Sequence, residues 1–483
     1  MTRFLVILCA GVVLLGGCLS GQTAVHPDDL EFAPLSFDLP RVESFRLDNG
    51  VRVYLREDHE LPLVTVTVMF GGGNVADPEG KSGLAQLHAG AMRGAGAGDR
   101  SADAVDALLE RIAADLTASA DAYATVLNLS VQSADLATGL GVVTDMLRRP
   151  RFEPGRVELT RKGVLEELRR QQDQAPVVAR KALVSNLYRG HALGDLPTLE
   201  SVTAIRLADL QHYHGRFARP DNLWLAVSGD IDVAGLKDLL SRLFAGWESP
   251  SERGPWQLDP LPPPPSPSLL LVHKDLPQTT VMFAQRGITK DDPDLYALRV
   301  LDFILGGGSF NSRLMQEVRT RRGLAYSVYS YFQVGRRLPG LFVAGTETKN
   351  ASVAEVVTIM RQEMQAMREQ TVTDAELALA KESLINSFVF AFEDAHEVVS
   401  QTMRLAFYDY PADYLGRYRE RLAAVTANDV LAAARRHLDP GAQIVLLVGD
   451  PDGGRELANR LDLPIQTLDA GTLNDSGGTE GQD

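Results

Sequence analysis

Apolar and polar positions along this chain fall into two alternating patterns. Short runs rich in β-branched and aliphatic residues, at 51–56, 64–70, 223–228 and 269–272, are bounded by Gly, Asn or Pro and predict strands. Between them, residues 101–115 place Val105, Leu108, Leu109 and Ile112 at helical spacing behind Ser101, a capping candidate. Residues 153–173 form a charged amphipathic segment that predicts a second helix, ending near Pro176. Hairpin-like strand pairs mixed with long helices point to an α+β layered fold rather than a strict βαβ succession. Each layer unit is one sheet covered by helices.

The pattern occurs twice. "HELPLVTVTVMFGGG" has a counterpart in "KDLPQTTVMFAQRG", with Leu61-Pro62 matched by Leu276-Pro277 and Met69-Phe70 by Met282-Phe283. At the other end "DLQHYHGRFARPDNLWLAVSGDID" matches "DVLAAARRHLDPGAQIVLLVGDPD", which sets Gly229-Asp230 over Gly449-Asp450. So regular an offset indicates internal duplication. The proline-rich stretch 249–268, "SPSERGPWQLDPLPPPPSPS", favours extended polyproline II and reads as a semi-rigid linker. The expected domains are therefore 36–248 and 269–470, followed by a flexible tail, 471–483.

Composition narrows the classes. With 483 residues and 45% apolar content the chain exceeds what one hydrophobic core organises, in keeping with two domains. Its first segment has a positive charge at Arg3, an apolar run over 4–15 and then Gly16-Gly17-Cys18. That reads as a signal peptide, 1–17, and is too short for a confident membrane span. Leu15-Gly16-Gly17-Cys18 resembles a bacterial lipobox, which implies lipid on Cys18, a tether over 18–35 and a place in the bacterial cell envelope. Leu19 after the cysteine looks like outer-membrane sorting. An ordinary cleaved secretion signal is the alternative. The two cysteines are Cys9 and Cys18, so the mature body has neither a disulfide nor a thiolate nucleophile. A net charge of -15 disfavours nucleic-acid binding, which needs clustered Lys and Arg.

Several islands then carry a resemblance: the Leu-Pro strand with its Gly-rich turn, "GLAQLHAGAMRGAG", "VLEEL", "FARPDNLWLAVSGD" and above all "GGGSFNSRLMQEVRTRRGLAYSVYS". Over residues 36–470 the chain resembles the pitrilysin or insulinase superfamily of zinc peptidases (peptidase M16), in its bacterial and mitochondrial-processing-like branch. The resemblance implies two homologous α+β domains per chain, each a mostly antiparallel sheet covered by helices, forming half of a clamshell closed by a second chain.

Active members carry His-x-x-Glu-His after "G-L-A", two histidines holding zinc and the glutamate polarising water. Histidines four apart share one helix face, and the Glu between them reaches a metal-bound water. Here Gln86, Ala89 and Gly90 stand at the first-ligand, base and second-ligand positions. The third-ligand position matches Glu167, with Glu166 as the less favoured register. A carboxylate and a carboxamide do not make a zinc site of the usual kind, and Ala89 cannot activate water. His88 lies about 200° round the helix from Gln86 and Gly90, so it faces away from them and reads as a packed or hydrogen-bonded histidine. His212 and His214 are a poor zinc pair on a helix, and His191 fits a short structural loop.

The second half keeps Arg319 and Tyr326, which resemble the family's Arg/Tyr pair for the peptide carbonyl and developing oxyanion. Guanidinium and phenol both donate hydrogen bonds to such an oxygen. Ser309, Asn311 and Ser312 are cap candidates in the turn before them, and a nucleotide loop is disfavoured because Gly-Lys-Ser/Thr is absent. The resemblance implies a non-catalytic subunit without a cofactor of its own. It lends Arg319 and Tyr326 to a homologous His-x-x-Glu-His partner that holds the zinc, and a peptide or unfolded segment lies along a sheet edge. Two alternatives stand: a peptide-binding or scaffold protein of the envelope, and a self-sufficient metallohydrolase using His88 and Glu167.

Overall fold

The computed structural model describes residues 40–249, 258–390, 392 and 394–469. The signal segment 1–17, Cys18, the tether 18–35 and the tail 471–483 lie outside the described residues, as does 250–257 within the linker.

The first sheet contains β1 (Glu43–Arg46), β2 (Arg52–Glu57), β3 (Leu63–Gly71), β4 (Asp115–Ala120), β5 (Ala124–Gln132) and β6 (Leu223–Gly229), in the order β1-β2-β6-β3-β5-β4. The second contains β7 (Leu269–His273), β8 (Gln278–Arg286), β9 (Ala325–Gln333), β10 (Leu341–Lys349), β11 (Ile444–Gly449) and β12 (Ile465–Leu468), in the order β12-β7-β11-β8-β10-β9. Five strands of each sheet correspond in order, with one parallel pair, β2/β6 or β7/β11, and antiparallel pairs beyond it. The sixth strand breaks the repeat. β1 comes from the start of the first half and runs antiparallel to β2, whereas β12 comes from the end of the second and runs parallel to β7.

The repeated Gly-Asp has a steric cause. Gly229 ends β6 with φ +123°, and a Cβ there would stand 2.0 Å from the carbonyl oxygen of Leu63. Only glycine fits both the backbone angle and that approach.

Residues 66–70 of β3 and all six of β11 are buried, so these strands read as apolar runs rather than alternating ones because both faces are covered. In the first half, Leu84–Gly94, Ala102–Arg111 and Leu136–Arg148 pack their apolar stripes on one face of the first sheet. Ser101 caps the second of these, its hydroxyl accepting from Ala104 N at 3.3 Å. The opposite faces are covered by an exchange. Helix Ala175–Leu187 of the first half lays Val178, Ala179, Ala182 and Leu183 on β8 and β11, and helix Ala395–Phe407 of the second lays Val399, Met403 and Phe407 on the first sheet. Each fully buried Val, Leu or Met contributes about 1.5–3 kcal/mol, so the exchange ties the halves together strongly. The helix expected over 153–173 runs Pro154–Gln171, and Pro176 occupies the first turn of the next helix, Ala175–Leu187, where its missing N–H is harmless.

His396 adds a polar tie to the same interface. Thr67 donates its hydroxyl to Asn128 Oδ1 at 2.7 Å and so accepts from His396 Nε2–H at 2.8 Å, while Ser228 donates to His396 Nδ1 at 3.0 Å. Burial lowers this imidazole to about 4, keeping it in the neutral tautomer these bonds require.

Candidate functional site

Helix Leu84–Gly94 follows a left-handed Gly83, φ +96°, and is anchored at its N-terminus by Asp77, which accepts from the backbone N–H groups of Gly83 at 2.8 Å and Ala85 at 2.9 Å. Burial pushes the Asp77 carboxyl up to about 7 against the downward pull of those N–H groups. Leu84, Ala85, Leu87, His88, Ala89, Ala91 and Met92 are buried, leaving Gln86 exposed on the other side. Gln86 shares a cavity of about 240 Å³ with Glu167, Arg180 and Lys181. The structure therefore brings the first-ligand and third-ligand positions of the sequence reading to one place.

Those residues do not fit zinc. Gln86 offers a carboxamide, and the Glu167 carboxylate accepts from Arg170 and Gln171, each at 3.2 Å. Gly90 offers no donor, and a Cβ there would stand 2.8 Å from the Thr160 methyl, because the helix crosses Pro154–Gln171 closely at this point. Ala89 is buried at the base position. Burial pulls the Lys181 ammonium down while Glu167 raises it, so a cation of the chain itself sits in the field of the remaining carboxylate. Glu166 pairs with Arg169 at 3.7 Å and does not line the cavity.

His88 stands behind this helix, fully buried among the rings of Phe70, Phe152 and Tyr213, the last with its centroid at 4.8 Å. It does not line the cavity of Gln86 and Glu167. Its Nε2 meets His214 Nδ1 at 3.0 Å, and His214 Nε2 meets the Leu147 carbonyl at 3.0 Å. The sequence presented His214 only as half of a poor zinc pair with His212, and its pairing with His88 was not read from it. His191 takes the structural place expected of it, with Leu193 N–H donating to Nδ1 at 3.0 Å and Nε2–H reaching the Asp259 carbonyl at 3.1 Å, which pins the linker to the loop.

The second half holds the other group of residues. The helix that begins with Leu295–Asp302 widens to a π-helical turn at Phe303–Gly307, and a second π-helical turn, Met315–Thr320, carries Arg319. Ser312 stands just before the helical residues 313–314 that lead into this turn and donates its hydroxyl back to the Ser309 carbonyl at 2.7 Å. Tyr326 lies in β9 where the β9/β10 register slips. Ala325 faces Thr348 and Val328 faces Thr346, so Tyr326 and Ser327 together oppose Glu347. Such a bulge re-aims side chains, and Tyr326 emerges 82% exposed. The Arg319 guanidinium carbon stands 4.5 Å from the Tyr326 ring centroid and 4.7 Å from that of Phe310. Its neighbours are committed elsewhere: Arg313 binds Glu376 through two bonds of 2.7 and 2.9 Å, and both Arg321 and Arg322 pair with Glu317. Among the described residues the Arg319 side chain makes ring contacts but no ion pair or hydrogen bond. Tyr326 also borders a second cavity of about 360 Å³, with Met282, Tyr329 and Glu347.

A further cluster was not legible in the sequence. Asp292, Asp294 and His437 bring ligand atoms within 4.8 Å of one another, the one such grouping of His, Cys, Asp and Glu among the described residues. Asp294 is already bound by Arg436 through two bonds of 2.6 Å and by His437 at 2.8 Å. The cluster ties the start of helix Leu295–Asp302 to the end of Ala427–His437.

Comparison with known proteins agrees with this duplicated arrangement. Residues 52–198 match the family model described as Insulinase (Peptidase family M16), and residues 204–384 match the one described as Peptidase M16 inactive domain. An uncharacterized zinc protease of Streptomyces coelicolor is 27% identical over 345 residues, covering 70% of this chain and 74% of the relative. A protein of Helicobacter pylori described as a non-peptidase homolog is 26% identical over 373 residues, covering 75% and 84%. The crystal structure of a peptidase M16 inactive domain from Pseudomonas fluorescens superposes with a TM-score of 0.76 at 25% identity, over 85% of this chain and 98% of that one. With two successive M16 patterns over 52–198 and 204–384 and the same fold over 85% of its length, the chain belongs to peptidase family M16.

Proposed function

We propose that this chain is the non-catalytic subunit of a two-chain zinc peptidase, presenting Arg319 and Tyr326 to a peptide held against a homologous partner that carries His-x-x-Glu-His and the zinc. The observation that carries this reading is the Arg319 guanidinium, which contacts two aromatic rings and, among the described residues, has its N–H groups uncommitted, while Arg313, Arg321 and Arg322 around it are all paired. Such a group is pre-organised for a carbonyl oxygen or developing oxyanion. β9, which carries Tyr326, is an edge strand, in keeping with a peptide bound in extended form. Lipid on Cys18 would hold the complex in the bacterial envelope, facing the periplasm from the outer membrane.

The test is reconstitution. The chain alone should hydrolyse no peptide in a zinc-dependent way, and mixing with the His-x-x-Glu-His homologue should produce turnover. Arg319→Ala and Tyr326→Phe should each reduce that turnover by about 10²-fold, the scale of one lost oxyanion donor. Unchanged turnover in both variants defeats the assignment. A second reading is favoured by the non-peptidase description of the Helicobacter pylori relative: the chain binds peptides without serving any hydrolysis. Peptide binding by the isolated chain, with no gain of turnover from any His-x-x-Glu-His homologue, would select it.

A further inference from the structure

Phe310 is a large apolar ring left 55% exposed in a turn that is otherwise tightly tied. Ser309 sits at φ +52°, Ser312 is fully buried and bonds back to the Ser309 carbonyl, and Gln316 Nε2 donates to the Phe310 carbonyl at 2.5 Å. Gly306 and Gly308 make the turn possible. A Cβ on the first would stand 2.3 Å from Ser330 N, and one on the second 2.6 Å from the Phe303 carbonyl oxygen. The backbone is thus fixed on both sides of a side chain that the core does not need. What the ring covers is the Arg319 guanidinium, whose carbon lies 4.7 Å from its centroid and 4.5 Å from that of Tyr326.

A guanidinium on a flexible stem has many rotamers, and one ring alone leaves it free to swing off that face. A second ring in contact with the same guanidinium removes much of that freedom. Neither ring competes for its donors, whereas a carboxylate partner would consume them.

We propose that Phe310 is a positioning residue for Arg319, the third member of an aromatic–guanidinium–aromatic stack that sets the direction in which Arg319 donates. The functional consequence rests on the reading that Arg319 serves a peptide carbonyl. Because Phe310 touches Arg319 and not the reacting atoms, its loss reduces the reactive geometry and leaves peptide affinity nearly unchanged.

Two measurements test this separately. In the isolated chain, ¹⁵N relaxation of the Arg319 Nε–H group reports how firmly the guanidinium is held. Phe310→Leu, exposed and of modest volume change, should lower its transverse relaxation rate by roughly twofold, and Phe310→Tyr should restore it. In the reconstituted enzyme, Phe310→Leu should lower kcat about tenfold with KM within about twofold, and Phe310→Tyr should recover most of the loss. Unchanged relaxation in Phe310→Leu overturns the proposal, as does full kcat in Phe310→Leu when Arg319→Ala is inactive. Mobile Arg319 in Phe310→Leu, together with full turnover in Arg319→Ala, supports the stack and sinks instead the role given to Arg319 in catalysis.

Discussion

His88 Nε2 and His214 Nδ1 lie 3.0 Å apart in a pocket closed to solvent, although 126 residues separate them. Since His214 donates Nε2–H to the Leu147 carbonyl, its Nδ1 is bare and accepts from His88 Nε2–H. His88 Nδ1 is then an acceptor, buried and without a hydrogen-bond partner among the described residues. Burial holds both rings neutral, His214 at about 4 and His88 well below its usual value, with His214 as a second downward influence on His88.

Acid should therefore unfold this protein over a defined window. In the unfolded chain these histidines and His396 bind protons near pH 6.5, whereas folded His214 and His396 do so only near 4. Their contribution is complete above about 6.5 and is lost as pH falls from there towards 4, with a slope of up to about 1.4 kcal/mol per pH unit for each imidazole. Urea midpoints measured between pH 7.5 and 4.5 should show this fall. Equal midpoints at pH 7 and 5 would contradict the neutral pair.

Restoring the metal motif should fail without a fourth change. Gln86→His, Ala89→Glu and Gly90→His together force a side chain at 90 into the Thr160 methyl and a carboxylate into a buried position. Overpacking of this kind costs about 1–3 kcal/mol before the carboxylate is counted. The triple variant should be destabilised and bind zinc substoichiometrically, while adding Thr160→Ala should recover stability and raise the zinc content, read by urea titration and elemental analysis.

The duplicated glycines should respond unequally to Ala. At Gly229 the added Cβ meets a backbone oxygen at 2.0 Å, but at Gly449 the nearest atom is the Thr279 hydroxyl at 2.5 Å. A side-chain oxygen can turn away and a strand carbonyl cannot. Gly229→Ala should cost more than about 2 kcal/mol, and Gly449→Ala measurably less, in denaturant titrations.

The exchanged helices should make the two halves unfold as one. Met403→Ala on the first sheet and Leu183→Ala on the second each remove a buried side chain and should cost about 2–5 kcal/mol. Because each helix belongs to one half and stabilises the other, tryptophan fluorescence and far-ultraviolet circular dichroism should give coincident transitions in both variants. Separated transitions would show that the exchange does not couple the sheets.

Much of the fold was legible because its signals are local. The strand at 64–70 and the helix behind Ser101 follow from periodicity and a cap, and the matched Leu-Pro and Gly-Asp positions foretold two sheets of shared topology. The phase of "GLAQLHAGAMRGAG" likewise put Gln86 on the cavity side and His88 behind it, since a helix fixes the angle between residues two apart. The helix before Pro176 ends where the sequence put it, but that Pro176 opens a further helix was not read, because a proline can close one helix or open the next.

Sequence by itself thus determined the repeat, the strand and helix phases, and which donors are missing from the metal helix, because each is set within a few residues of chain. The tertiary structure alone decided that His88 meets His214, that each sheet is covered by the other half's helix, and that Arg319 is, among the described residues, the unpaired cation in its basic run. Those outcomes depend on which helix faces come together across more than a hundred residues, or on which acids stand within reach once they have, and no local pattern encodes either.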